Sequence, residues 1–198
     1  QANNIGISYA LNHGADYVFL LNQDAYLSGN CLEKLLNVQS RNSEYGVLSP
    51  IHLNGEGTRI DSKFSKYLLN NENFYSDHVL NKPFKIVYEF PFVNAAGWLI
   101  SGECLETVGG FDPMFFHYGE DDNYCQRLYF HGFKIGVVSE AFLRHDRIQK
   151  SKPINTKSLL YLERRYKVEY GNLARTDFEI QFKHKILGLN KSIFKNTL

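Results

Sequence analysis

Tyr17-Val18-Phe19-Leu20-Leu21-Asn22-Gln23-Asp24 is the most telling stretch of the chain. Its first five residues form a short unbroken apolar run, which suits a strand buried on both faces. Strands of that kind belong to parallel sheets covered by helices, so the expected fold class is α/β with a mostly parallel sheet flanked by helices. The polar triplet Asn22-Gln23-Asp24 then falls at the carboxyl end of the strand, the edge where open α/β sheets bind ligands.

Working outward, residues 5–11 read as the end of a helix stopped by Gly14. Asn30 is placed to cap a helix with the apolar stripe Leu32, Leu35 and Leu36. Residues 47–51 read as a strand, and 54–83, rich in Gly, Asn and Ser, as a loop or hairpin excursion. Residues 85–92 alternate as a strand does, and 98–100 continue as strand into a helix over 102–108. Gly109-Gly110 breaks that helix. The strongest helix runs over 120–130 with Tyr124, Cys125 and Leu128 on one face and Gly132 as terminator, followed by a strand over 134–138. A basic amphipathic helix is expected over 156–173, with a further one beyond Asp177. We expect residues 1–150 to form the main domain and 151–198 a basic helical appendage.

The 198 residues suffice for one α/β domain, and 43% hydrophobic content marks a globular chain. No stretch approaches the roughly 18 apolar residues that span a bilayer, and no basic-then-apolar leader opens the chain. The sequence begins at Gln1 and its one methionine is Met114, so a fragment or processed product is expected. Cys31, Cys104 and Cys125 lack metal or redox spacing and read as buried thiols in a reducing compartment.

The net charge of +1 is unevenly spread. Residues 1–143 carry 9 basic against 16 acidic side chains, whereas 144–198 carry 13 against 5. An acidic body without a recognised module disfavours nucleic acid as partner. In the tail, Lys183, Lys185, Lys191 and Lys195 lie among Phe182, Ile186, Leu187, Leu189, Ile193 and Phe194, a pattern suited to an anionic membrane surface or to packing on the domain.

Three places can carry chemistry. A carboxylate at Asp24 can hold Mg²⁺ or Mn²⁺, cations that take hard oxygen ligands and complete their shell with phosphates. Asn22 can hydrogen-bond a ribose or phosphate on the same edge. Glu120-Asp121-Asp122 opens the strongest helix; helix dipoles favour acids there, but three adjacent carboxylates repel one another and raise at least one pKa. Asp121 is the candidate proton acceptor. His145 ends a strand, where it can pair with Asp24 around a metal or serve as a structural hydrogen-bonder. Arg144, Arg147, Lys150 and Lys152 surround it and can steer an anion or simply be solvated. Phosphate loops, Rossmann glycines, a GxSxG elbow and HExxH are all lacking.

The run Ala95-Ala96-Gly97-Trp98, then Val108-Gly109-Gly110-Phe111-Asp112, Phe116-His117-Tyr118-Gly119-Glu120-Asp121-Asp122, Arg127, Gly132 and His145, closely resembles family 2 glycosyltransferases, most strongly the bacterial rhamnosyltransferase-like branch. Asn4-Ile5-Gly6, Asn12-His13-Gly14 and Leu20-Leu21-Asn22-Gln23-Asp24 fit as well, the last resembling the family's metal motif in its Asn-x-Asp form. The likeness covers about residues 3–146. Ser101-Gly102 depart from commonly basic positions and Pro113 from a frequently acidic one.

The resemblance implies a GT-A fold lacking its first strand or strands, a nucleotide-sugar donor, Mn²⁺ or Mg²⁺, and inversion at the anomeric carbon. It implies that Asp24 and His145 hold the metal, that Asn22, Asp24 and Gly97 lie on the donor, that Asp121 is the base, and that Glu120 is its acidic neighbour. A glycan or lipid-linked acceptor, and a cytoplasmic place at the inner face of a membrane, complete the expectation. Two other readings compete: a metal-dependent nucleotidyltransferase, and a non-catalytic glycan-binding or scaffold domain in which Trp98, Phe115, Phe116 and Tyr118 can stack on sugars, although core packing is expected for at least two of the four.

Overall fold

The computed structural model describes residues 2–115, 118–147, 159–177 and Lys183. Six strands build one sheet: β1 (Tyr17–Leu21), β2 (Ala25–Leu27), β3 (Tyr45–Asn54), β4 (Val87–Glu89), β5 (Gly97–Ser101) and β6 (Lys134–His145). Their order is β1-β5-β3-β6-β2, with β4 also pairing β6. Around them lie α1 (Ala2–Asn12), α2 (Cys31–Gln39), α3 (Phe64–Leu69), α4 (Glu72–Val79), α5 (Gly102–Val108), α6 (Glu120–Phe130) and α7 (Leu159–Tyr170).

The sheet is mixed, which corrects the expectation of a mostly parallel one. Only β3 and β6 run parallel; β1–β5, β3–β5, β2–β6 and β4–β6 are antiparallel. The apolar run that suggested a central parallel strand is instead the end of the strand order, and it alternates: Val18 and Leu20 are buried while Tyr17 and Leu21 are exposed. Hydrophobicity alone did not show that alternation, because all five residues are apolar. The fully buried strand is β5, and β3 is buried from Tyr45 to His52. On β5, Trp98 and Ile100 enter the core under α5 and α6, while Leu99 points into a second core with Cys31, Leu35 and Val38 of α2.

Several local expectations hold. Gly14 and Gly132 take left-handed φ values of 72° and 84° after their helices. All three cysteines are free and buried, and burial pushes the Cys31 thiol up to about 11. Asn30 does occupy the N-cap position of α2, but its side chain makes no capping bond, and Leu32 of the expected stripe is exposed. The larger correction is residues 54–83, which hold two short helices instead of a loop or hairpin. α4 is capped by Asn71, whose side chain accepts the Phe74 N–H. The expected strand over 85–92 shrinks to β4, and the expected helix over 156–173 is seen as α7. The tail helix beyond Asp177 lies outside the described residues, apart from Lys183. No helix among the described residues is long and apolar enough to cross a membrane.

The long strand β6 positions the site. Its first part pairs β4 and its last part pairs β2. Between them the register against β3 jumps from Pro50↔Val138 to Ile51↔Phe142, so residues 139–141 are extra and bend the strand.

Candidate active site

The end of β6 meets β2 with Ala25 opposite His145, and the Asp146 N–H donates to the Asp24 carbonyl at 2.8 Å. That pairing brings the Asp24 carboxylate and the His145 imidazole together: Oδ1 lies 3.3 Å from Nε2. The sequence separates these residues by more than a hundred positions, so only the sheet register unites them. His145 is buried and Asp24 half-exposed, leaving one open side. Burial and the Arg147 cation hold the imidazole below its ordinary pKa, against the opposing pull of Asp24 and Asp61. His145 is therefore neutral near pH 7.

Asn22 stands at the exposed turn between β1 and β2, and its N–H donates to the Ala96 carbonyl at 3.0 Å. One residue earlier, the Ala95 N–H donates to Asp121 Oδ2 at 3.0 Å. The Ala95-Ala96 segment thus ties the base candidate to the donor-side turn. Burial is the main reason that Asp121 is raised to about 6, with the charges of Glu120 and Asp122 adding to it and the Ala95 N–H opposing. Glu120 Oε2 is buried without a hydrogen-bond partner, and Asp122 is raised by burial and by Glu120. The expected crowding of like charge is present, though desolvation outweighs it.

The tight loop before α6 is fixed by two residues. Arg127 donates to the carbonyls of Val108 and Gly110, each at 2.6 Å, and Asn4 makes two bonds of 2.8 Å with the Phe111 backbone. At Gly97 an added Cβ would press on Leu143 Cδ2 inside the buried sheet. Of the four aromatics near the acids, Trp98 and Phe115 are buried in the core, as expected for at least two of them. Tyr118 is exposed and carries the Arg164 guanidinium over its ring at 4.6 Å. Phe116, His117, Lys150 and Lys152 lie outside the described residues.

Sequence reasoning missed Asp61 and Tyr67. Asp61 is fully buried, and its Oδ2 lies 3.3 Å from Arg147 Nε, while Arg147 Nη2 lies 2.8 Å from His145 Nδ1. Tyr67 on α3 lies within electrostatic reach of Arg147, Asp122, Asp121 and Asp61. Both fall in the stretch with the weakest pattern; an Asp three residues before Phe64 is the capping signal that marks α3.

As for a metal, no group of three or more His, Cys, Asp or Glu arranged to hold an ion is found among the described residues. One carboxylate and one neutral imidazole nevertheless suit Mn²⁺ or Mg²⁺, which complete their shells with phosphate oxygens and water.

One mixed sheet flanked by helices, with a carboxylate and an imidazole paired where β2 meets the end of β6, makes an α/β fold similar to that of GT-A glycosyltransferases. The chain belongs to the glycosyl transferase family group 2, whose model matches residues 17–196. It is 22% identical over 145 residues to the dTDP-rhamnosyl transferase RfbF of Shigella flexneri, covering 73% of this chain and 47% of that one. The chain thus spans about half the length of this curated relative. It is also similar in fold to GalNAc-T7 in a crystal structure with UDP, GalNAc and Mn²⁺, with a TM-score of 0.58 and 16% identity over 85% of this chain and 34% of that one.

Proposed function

We propose that this chain carries the catalytic residues of an inverting glycosyltransferase, moving a sugar from a nucleoside-diphosphate donor to a hydroxyl of a glycan or lipid-linked acceptor. The observation that carries the reading is Asp121, a carboxylate raised to about 6 and tied through Ala95-Ala96 to the turn bearing Asn22 and Asp24. In this reading Asp121 takes the proton of the acceptor hydroxyl while that oxygen forms its bond to the anomeric carbon. The bond from that carbon to the diphosphate breaks on the opposite face, its electron pair leaving with the nucleoside diphosphate. A raised pKa suits the task, because the base must be ionised near neutral pH and still hold a proton well. Glu120 lies beside the base on the acceptor side, and Asn22 lies beside the nucleotide.

Asp24 and His145 would hold Mn²⁺ or Mg²⁺, which when bound offsets the negative charge gathering on the leaving diphosphate. The Shigella relative's name supports a deoxythymidine-diphosphate donor and a rhamnose-like sugar. A body of residues 1–150 with a basic appendage at 151–198, the latter resting on an anionic membrane surface, completes the proposal.

Calorimetric titration of UDP, GDP and dTDP, with and without Mn²⁺, tests it on this protein and on Asp24→Ala. Metal-dependent binding of one nucleotide that the variant loses is the expected result. No binding of any nucleotide under either condition would overturn it in favour of a non-catalytic glycan-binding domain.

A further inference from the structure

We propose that Arg147 occupies the cation's electrostatic place at His145 and that Asp61 anchors it there, so that a bare divalent ion is held off until a diphosphate arrives. The inference rests on reading Asp24 and His145 as the cation-holding pair.

A guanidinium only donates, so with Arg147 Nη2 at 2.8 Å the Nδ1 of His145 must accept. A neutral imidazole carries one N–H, which therefore sits on Nε2 and points at Asp24 Oδ1, 3.3 Å away. Nε2 can turn a lone pair toward a cation only after that proton is lost to solvent, Nδ1 has taken one up, and Arg147 has withdrawn. Arg147 also sets a positive charge beside the place a cation would take.

Asp61 makes that arrangement firm. Its Oδ1 accepts the backbone N–H groups of Lys63 and Phe64, at 2.9 and 3.0 Å, and its own N–H donates to the His52 carbonyl at 2.8 Å. The carboxylate is thereby fixed in direction, and Oδ2 is fully buried with no hydrogen-bond partner beyond its ion pair with Arg147. Leaving a buried carboxylate without its cation is costly, so Arg147 does not drift off unaided. His52 closes the floor of the network: it is buried, and its ring meets that of His145 edge-on at 5.9 Å. A histidine offers Arg147 no negative charge to move to. A nucleoside diphosphate does, and metal and nucleotide should therefore bind cooperatively.

The test uses the whole chain. Mn²⁺ binding is followed by electron paramagnetic resonance, alone and with UDP or dTDP, in wild type, Asp24→Ala, Arg147→Met and Asp61→Asn/Arg147→Met. The double variant leaves no orphan charge and keeps the local net charge of wild type. We expect Mn²⁺ alone to bind roughly tenfold tighter to Arg147→Met, tighter also to the double variant, and nucleotide to add less in both. In ¹⁵N spectra assigned with His145→Gln, wild-type His145 should carry its proton on Nε2. An Nδ1-protonated His145 in wild type, with no gain in Mn²⁺ affinity in the double variant, would overturn the proposal while Asp24-dependent Mn²⁺ binding upheld the site. Mn²⁺ binding in none of the four proteins, with or without nucleotide, would overturn both.

Discussion

The two charged regions of this site are built on opposite plans. Around β2 and the end of β6, each group is matched with a partner: Asp24 faces the His145 imidazole, His145 accepts from Arg147, and Arg147 pairs with Asp61. At the start of α6 they are mismatched: Glu120, Asp121 and Asp122 crowd together, and Asp121 is raised to about 6. A matched network is at rest until a ligand redistributes its charge. A mismatched one stores unfavourable energy in the empty protein and is ready to take a proton. The difference assigns ligand binding to one region and proton transfer to the other, and substitutions in each should behave differently.

The largest effect is expected from Asp121→Asn. Loss of a positioned base should lower the transfer rate roughly a thousandfold, while calorimetry finds nucleotide binding unchanged. Asp24→Ala should do the reverse and erase metal-dependent nucleotide binding, with a cost at least as large as the roughly 10- to 100-fold expected when a metal's supporting partner is lost. If both substitutions reduced binding alike, the division between the regions would fail.

The next effect is on stability and has the opposite sign to the loss of activity. Asp121 is raised from 3.8 to about 6 in the fold, so its folded state prefers the neutral acid. That preference stabilises fully below pH 3.8 and is lost as pH rises toward 6. Asp121→Asn should therefore be more stable than wild type at pH 7.5, by about 3 kcal/mol, and the gap should close near pH 3.5. Thermal melts at the two pH values check this. No comparable gain is expected at Asp61, where the carboxylate is paired. The smallest effect is at Gly97: Gly97→Ala should cost about 1 kcal/mol by crowding Leu143, measured by urea denaturation.

How much of this the sequence disclosed follows the same division. Glu120, Asp121 and Asp122 are adjacent in the chain, so their repulsion is legible in the residue order alone, as is the helix that carries them. The matched network is legible only at its ends. Asp24 and His145 stand out at strand termini, but their meeting depends on the Ala25↔His145 register and the bend in β6. Asp61 is hidden because α3 has six residues and is held by capping and packing, leaving no periodic pattern to detect. The parallel sheet was misjudged for a similar reason: Tyr17 and Leu21 look like core residues and lie in the open.

The most direct measurement is a carboxyl ¹³C titration of the wild-type protein, with the Asp121 resonance assigned by Asp121→Asn. A midpoint near 6 is the predicted result, and a midpoint at or below 4 would contradict the claim that α6 presents a poised base.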